Sequence, residues 1–329
     1  MGHLVSSSAT VVLTETMPRK SAPAPQDPPA VTASEELFAP VSPSVEICYQ
    51  TFGSPTSDPL LLVMGLGGPM IWWDDDFCSR LAQAGFHVIR YDNRDTGRSS
   101  RMSQRVTRAQ LVKAFSTGRA KADYSLSDMA GDGLALLDHL GIEAAHVVGI
   151  SMGGMIAQTM AIESPARVLS LVSVMSTTGR RSVGWQSPDL LPTLLAPRRG
   201  GKEAYIATNA VVWNLIGSPD FPVDPEVLRQ RGANTFDRGV SASGVLRQML
   251  AILTQPNRSL ALRNLRVPTL IVHGFADKMV HVSGGRATAS AVPGAELLLI
   301  EGMGHDLPVD LYDTFIDGIR RTADRAVAG

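Results

Sequence analysis

No apolar run in this sequence approaches the ~18 residues that a membrane-spanning helix needs; its runs stop at about the length of the strand-like Leu60–Met64 stretch. Cysteine is scarce as well. Cys48 and Cys78 are the only two, too few for a disulfide framework, and the expectation is a pair of buried free thiols. Nor does either sign of charge dominate. Thirty Lys and Arg stand against 31 Asp and Glu, a formal net charge of -1. No block of Lys or Arg exceeds a pair, so nothing would gather phosphates and nucleic acid is excluded as a partner. At the N-terminus the Val11–Leu13 patch is too short for the apolar core of a secretion signal and lacks a basic segment before it. A cytoplasmic location is the expectation. Met1-Gly2 with Ser6 matches the loose myristoylation pattern, which is short enough to arise by chance.

What is present is ordinary globular composition, 44% hydrophobic and 19% charged over 329 residues, with chain enough for a sizeable core. Residues 1–40, rich in Ser, Ala, Thr and Pro, are expected to be a disordered or loosely attached tail. From about Val45, short apolar runs alternate with helical stretches. Candidate strands are Leu60–Met64, His87–Tyr91, His146–Ile150, Val168–Met175, Thr269–His273 and Glu296–Ile300. This rhythm predicts an α/β fold, a mostly parallel sheet with helices on both faces. Helices are expected from about Trp73 to Ala84, started by the acidic Asp74–Asp76, and from near Ser127 to a stop at Gly141. A last helix carries Leu311, Phe315, Ile316 and Ile319 on one stripe, with Pro308 in its first turn. Between Met175 and Thr269 the rhythm breaks into helical pieces separated by Pro188, Pro192, Pro197, Pro219, Pro222 and Pro225. The expected organisation is a body of residues 41–177 and 263–329, interrupted by a helical cap over 178–262. Within the cap, the Val245, Met249, Leu250 and Leu253 side of one helix is read chiefly as core packing.

The sharpest local signal is Gly149-Ile150-Ser151-Met152-Gly153, a G-x-S-x-G sequence directly after an apolar strand and before the helical run Met155–Ile162. In that setting the pattern predicts a nucleophile elbow, a sharp strand-to-helix turn that pushes the serine side chain into a cleft. A serine hydroxyl needs a base to take its proton. Of seven histidines, His305 in the Gly302–Asp306 loop follows the last predicted strand, at the sheet edge where ligands of such folds bind. His305 is the expected base, with His273 and His281 as rivals. The imidazole needs an acid, and Asp277, just beyond the penultimate strand, is preferred to Asp306, which as a chain neighbour can rarely bend back to that ring. Two backbone N–H donors must meet the oxyanion. Met152 is one, and Leu66 in the loop Met64–Gly68 is the expected other. That loop lacks the lysine and spacing of a phosphate-binding loop. The order Ser151, Asp277, His305 implies nucleophilic acyl transfer that needs no metal or organic cofactor.

With these residues placed, the chain from about Val45 onward resembles the α/β-hydrolase superfamily. More narrowly it resembles an actinobacterial branch of esterases and lipases that includes aclacinomycin methylesterase-like enzymes. The likeness rests on Met64–Gly68, on Arg90–Ser99, on the Ser151-Met-Gly-Gly154 elbow and on Gly302–Pro308. Met64 is a departure, standing where many relatives carry histidine. The resemblance implies the α/β-hydrolase fold and a carboxylic ester hydrolase. It also implies that Asp92, Arg94, Gly97 and Ser99 buttress the oxyanion loop. A serine nucleophile argues against haloalkane dehalogenase or epoxide hydrolase chemistry, which runs through an aspartate. The same triad would serve a lipase, methylesterase, thioesterase, lactonase or cofactor-free haloperoxidase (perhydrolase), and a receptor without turnover is the non-enzyme alternative. Trp185, Trp213, Phe221 and Phe236 in the cap hint at a small-molecule ester with an apolar acyl or aromatic group, although aromatic side chains ordinarily pack in the core. The oligomeric state is left open.

Overall fold

The computed structural model describes residues 10–13, 31–190 and 200–327. Nine strands form one sheet among the described residues: β1 (Thr10–Leu13), β2 (Leu37–Ser42), β3 (Val45–Phe52), β4 (Asp58–Val63), β5 (Phe86–Tyr91), β6 (Ala145–Ile150), β7 (Val168–Val174), β8 (Thr269–Gly274) and β9 (Glu296–Ile300), in the order β1-β9-β8-β7-β6-β4-β5-β3-β2. All neighbours run parallel except β2 with β3 and β3 with β5. The helices are α1 (Asp75–Gln83), α2 (Arg108–Thr117), α3 (Leu126–His139), α4 (Met152–Glu163), α5 (Lys202–Ile216), α6 (Pro225–Gly239), α7 (Ala242–Thr254), α8 (Ser259–Leu262), α9 (Ser283–Ala291) and α10 (Tyr312–Val327).

The central strands read as unbroken apolar runs because both of their faces are covered. Side chains alternate across a strand, so Leu61, Val63, Ile89 and Val147 join α3 and α4 in one cluster, while Leu60, Leu62, Val88 and Val148 join α1 and α10 in the other. Cys48 in β3 and Cys78 in α1 are buried and free. The chain leaves β4 for β5 on one side and returns to β6 on the other. That reversal opens a crevice at the carboxyl ends of β4 and β6, where open α/β sheets bind ligands.

Several local expectations shift. One strand falls within the segment expected to be a tail and a second begins in it. β1 runs parallel to β9, and β2 begins at Leu37. In β2 only Ala39 is fully buried, so an edge strand held by backbone pairing leaves little apolar signature. The helix expected from Ser127 is capped two residues earlier by Ser125, whose side chain accepts from Asp128 N while Asp128 reaches back to the Ser125 N–H. Pro308 precedes a single 3-10 turn, Val309–Leu311, and α10 starts after it. Asp74 is the N-cap of α1, accepting from Asp76 N at 2.9 Å. No helix among the described residues is long and apolar enough to cross a membrane.

His146, on β6, is buried with its Nδ1 2.8 Å from Ser170 Oγ. Burial pulls its pKa down from 6.5 to about 4. Above pH 6.5 the imidazole is neutral in folded and unfolded chains alike and contributes nothing to the pH dependence. As the pH falls from 6.5 toward 4 only the unfolded chain takes up the proton, so folding loses stability through that window, by about 3 kcal/mol at most from this group. Urea unfolding at pH 7 and pH 4.5 should therefore show a smaller difference for His146→Gln than for the parent. An equal difference in the two proteins would contradict the assignment.

Candidate active site

The strand-to-helix turn at the end of β6 is tight because two glycines let backbone meet backbone. A Cβ on Gly149 would lie 2.2 Å from Gly153 O, and one on Gly153 would lie 2.0 Å from Val63 O. No other residue type fits. Between them Ser151 is held at φ 57°, ψ -118°, a conformation costing a non-glycine residue on the order of 1–3 kcal/mol. Its N–H donates to Val174 O at 2.9 Å, and Ser176 Oγ donates to its carbonyl at 2.7 Å. β7 thus pins the strained residue from the side. Met152 is the first residue of α4, so the positive end of that helix dipole faces the serine.

His305 reaches the same point from the loop after β9. Its N–H donates to Ile216 O at 2.7 Å, and the neighbouring Gly304 N–H donates to Ser218 Oγ at 2.8 Å. His305 Nε2 lies 3.0 Å from Ser151 Oγ and His305 Nδ1 lies 2.8 Å from Asp277 Oδ2. Asp277 lies in the loop after β8. Its Oδ1 accepts the N–H groups of Met279 and Val280, each at 2.8 Å. Burial acts to raise the Asp277 pKa, but the facing His305 charge and the bonds from His273 and His305 outweigh it and hold the carboxyl well below the usual range. The group is an anion at neutral pH, suited to fix the imidazole tautomer and offset a positive charge on the ring.

The rivals lie elsewhere. Asp306 accepts from Ser218 Oγ at 2.5 Å, and burial raises its pKa. His281 stacks on Trp185 with ring centroids 4.2 Å apart. His273 is buried behind Asp277, its Nε2 2.7 Å from Val280 O and 3.4 Å from Asp277 Oδ2. A carbonyl can only accept, so Nε2 carries the proton.

The loop after β4 lies against the serine: a Cβ on Gly65 would stand 3.2 Å from Ser151 Cβ. Gly68 N–H donates to Gly65 O at 3.2 Å and closes a turn there. The N–H groups of Leu66 and Met152 have no acceptor among the described residues. The residues after β5 support this turn. Asp92 accepts from Met70 N at 2.7 Å, and Asn93 donates to Met64 O at 2.9 Å. Ser99 Oγ bonds Asp92 O and Cys48 N, and Arg94 pairs with Asp132. From α6 and α7 come partners that the sequence pattern did not single out: Arg238 on Asp92, Arg247 on Asp95, and Gln248 on Gly67 N.

Beside Asp277 and His305 lies a cavity of about 540 Å³, bounded by Trp185, Trp213, Phe275, Asp277, His281 and Asp306 among others. It reaches Asp277, and Ser151 is not part of its wall. Of the four aromatic residues that hint at the substrate, Trp185 and Trp213 line this cavity. Phe221 packs on the core, and Phe236 tilts against Tyr205.

Residues 58–310 match the family described as alpha/beta hydrolase fold. The chain is 31% identical over 297 residues to rhodomycin D methylesterase DauP of Streptomyces sp. (strain C5), covering 82% of this chain and 92% of that protein. Among solved structures it is similar to the esterase RhEst1 from Rhodococcus sp. ECU1013, with TM-score 0.68, 22% identity, and coverage of 88% of this chain and 99% of that one. The enol-lactonase from Burkholderia xenovorans LB400 gives TM-score 0.67 and 22% identity, covering 88% of this chain and all of that one. At these identities the structural likenesses speak for the fold alone. With a sheet whose order reverses at β4, a serine on the turn after β6 and a match across most of its length, this chain belongs to the alpha/beta hydrolase fold family.

Proposed function

We propose that the protein is a serine hydrolase that cleaves carboxylic esters, of carboxylesterase or lipase type, through an acyl-enzyme on Ser151. The observation that carries this reading is the unbroken line of hydrogen bonds from Ser151 Oγ through His305 to Asp277, at 3.0 and 2.8 Å. In the proposed cycle His305 Nε2 takes the hydroxyl proton as Ser151 Oγ attacks the ester carbonyl. The N–H groups of Leu66 and Met152 receive the oxyanion. The imidazolium then gives its proton to the leaving alcohol. Water, activated by the same imidazole, hydrolyses the acyl-enzyme and returns the serine. Residues 178–262 act as a cap over the body of residues 41–177 and 263–329, and the substrate is a small molecule with an apolar acyl or aromatic group.

Methylesterase activity is the favoured second reading, because a relative 31% identical over most of both chains bears that name. One experiment sorts the readings. Purified protein is treated with a fluorophosphonate and assayed against p-nitrophenyl acyl esters of increasing length, aryl methyl esters, a lactone, a thioester, and peracid formation from acetate and peroxide. Covalent capture at Ser151 with turnover of carboxylic esters is the expected result. Turnover confined to methyl esters, thioesters, lactones or peracid formation would move the assignment to that class. A folded protein whose serine stays unlabelled would point to a receptor and overturn the enzyme reading.

A further inference from the structure

We propose that Gln248, in α7, is a positioning residue for the oxyanion hole: its carboxamide holds the Leu66–Gly67 peptide so that the Leu66 N–H is the one left facing the substrate. The proposal rests on the serine-hydrolase reading above. Gln248 is fully buried, and three of its hydrogen bonds span 152 to 181 residues of sequence. Its Oε1 accepts the Gly67 N–H at 2.8 Å, while its Nε2 donates to Arg94 O at 2.8 Å and to Thr96 Oγ1 at 2.9 Å. The partners fix which end of the amide is which. Turned over, the NH2 would face the Gly67 N–H donor, and the oxygen would face the Arg94 carbonyl. One side chain from the cap thus ties the loop after β4 to the loop after β5.

The turn after β4 has two N–H groups between its closing bond, those of Leu66 and Gly67, since Gly68 N–H is already on Gly65 O. Gln248 occupies the Gly67 N–H. Only that of Leu66 remains, on a turn whose first residue stands against Ser151. The backbone alone does not settle this choice. Gly67 is at φ +64°, and a glycine tolerates either orientation of the preceding peptide. The preceding turn of α7 closes on the same point, since a Cβ at Gly67 would lie 2.8 Å from Val245 Cγ2. Arg247, beside Gln248, anchors the helix to Asp95 with two bonds at 2.6 and 2.8 Å. The cap therefore reaches the reacting atoms through the oxyanion loop, as well as covering the site.

The test compares the parent with Gln248→Met, of similar length but without the amide, and Gln248→Asn, which is too short to reach both loops. Active sites are titrated with a fluorophosphonate, kcat and KM are measured with p-nitrophenyl butyrate, and inhibition is measured with butylboronic acid, which forms a tetrahedral adduct. Deleting an oxyanion donor costs about 10²–10³ in kcat. Misplacing one should cost about 10- to 100-fold per titrated site, with KM within about threefold and the boronate Ki rising in step with the fall in kcat. A packing role would lower Tm and the fraction of active sites while leaving kcat per site and the boronate Ki unchanged, and that result overturns the proposal. So does loss of folded protein in both variants, which would make the amide a determinant of folding. A parent that the fluorophosphonate does not label refutes the serine-hydrolase reading itself. A labelled parent with unaffected variants refutes only the role of Gln248.

Discussion

Ser151→Ala should lower kcat for ester hydrolysis by about 10⁶ and abolish fluorophosphonate labelling, while the protein stays folded. In the proposed cycle the size of the effect follows from the loss of the group that forms the acyl-enzyme. Whatever turnover remains must come from water attacking a substrate held by the oxyanion donors and the pocket. Folding should survive because Ser151 is held by its backbone. Its N–H is bonded to Val174 O and its carbonyl to Ser176 Oγ, and neither bond uses the hydroxyl that alanine lacks. Alanine at φ 57° keeps the strain of the turn without adding bulk. Tm should therefore move by no more than a few degrees. Near-normal kcat in the purified alanine variant would sink both the nucleophile and the cycle built on it.

The turn that carries Ser151, and the loops that bring Asp277 and His305 to it, are legible in the sequence because each is announced locally. Gly149 and Gly153 stand two residues either side of Ser151, where an added Cβ would fall 2.0–2.2 Å from a backbone oxygen. Asp277 and His305 each follow a strand with an apolar centre, Leu270–Val272 in β8 and Leu297–Ile300 in β9. The central strands and the helices on both faces are readable for the same reason. What the sequence hides is either shallow or distant. β2 buries little beyond Ala39. α2 carries a Thr107–Gln110 capping box, but Val112 and Phe115 are exposed, so it lacks the inward stripe that marks a helix. Arg238, Arg247 and Gln248 bond residues 146 to 181 positions away. In α7 the apolar Val245, Met249 and Leu250 dominate the pattern, and the adjacent Arg247 and Gln248 look like the edge of a solvated face until Asp95 and Gly67 are brought beneath them.

Asp277→Asn is expected to cost about 10⁴ in kcat with little change in KM. The hydrogen-bond inventory around the carboxylate dictates why. Oδ1 accepts two backbone N–H groups, from Met279 and Val280, while Oδ2 faces His305 Nδ1 at 2.8 Å and His273 Nε2 at 3.4 Å. An asparagine must turn its oxygen toward the two backbone donors, because its NH2 would meet donors there. Its NH2 then faces His305 Nδ1 and forces that nitrogen to accept. The ring proton moves to Nε2, and Nε2 is the atom 3.0 Å from Ser151 Oγ. A protonated Nε2 cannot take the serine proton, so binding survives while proton transfer does not. A second readout separates this from general damage. The folded-state pKa of Asp277 is depressed, so the stability it contributes is present above the ordinary carboxylate pKa of about 3.9 and is lost as pH falls through and below that value. Removing the charge should therefore flatten the acid limb of a denaturation profile below about pH 4, relative to the parent. A variant whose kcat stays within tenfold of the parent would show that the tautomer is set by some other group, and Asp277 would lose its place in the triad.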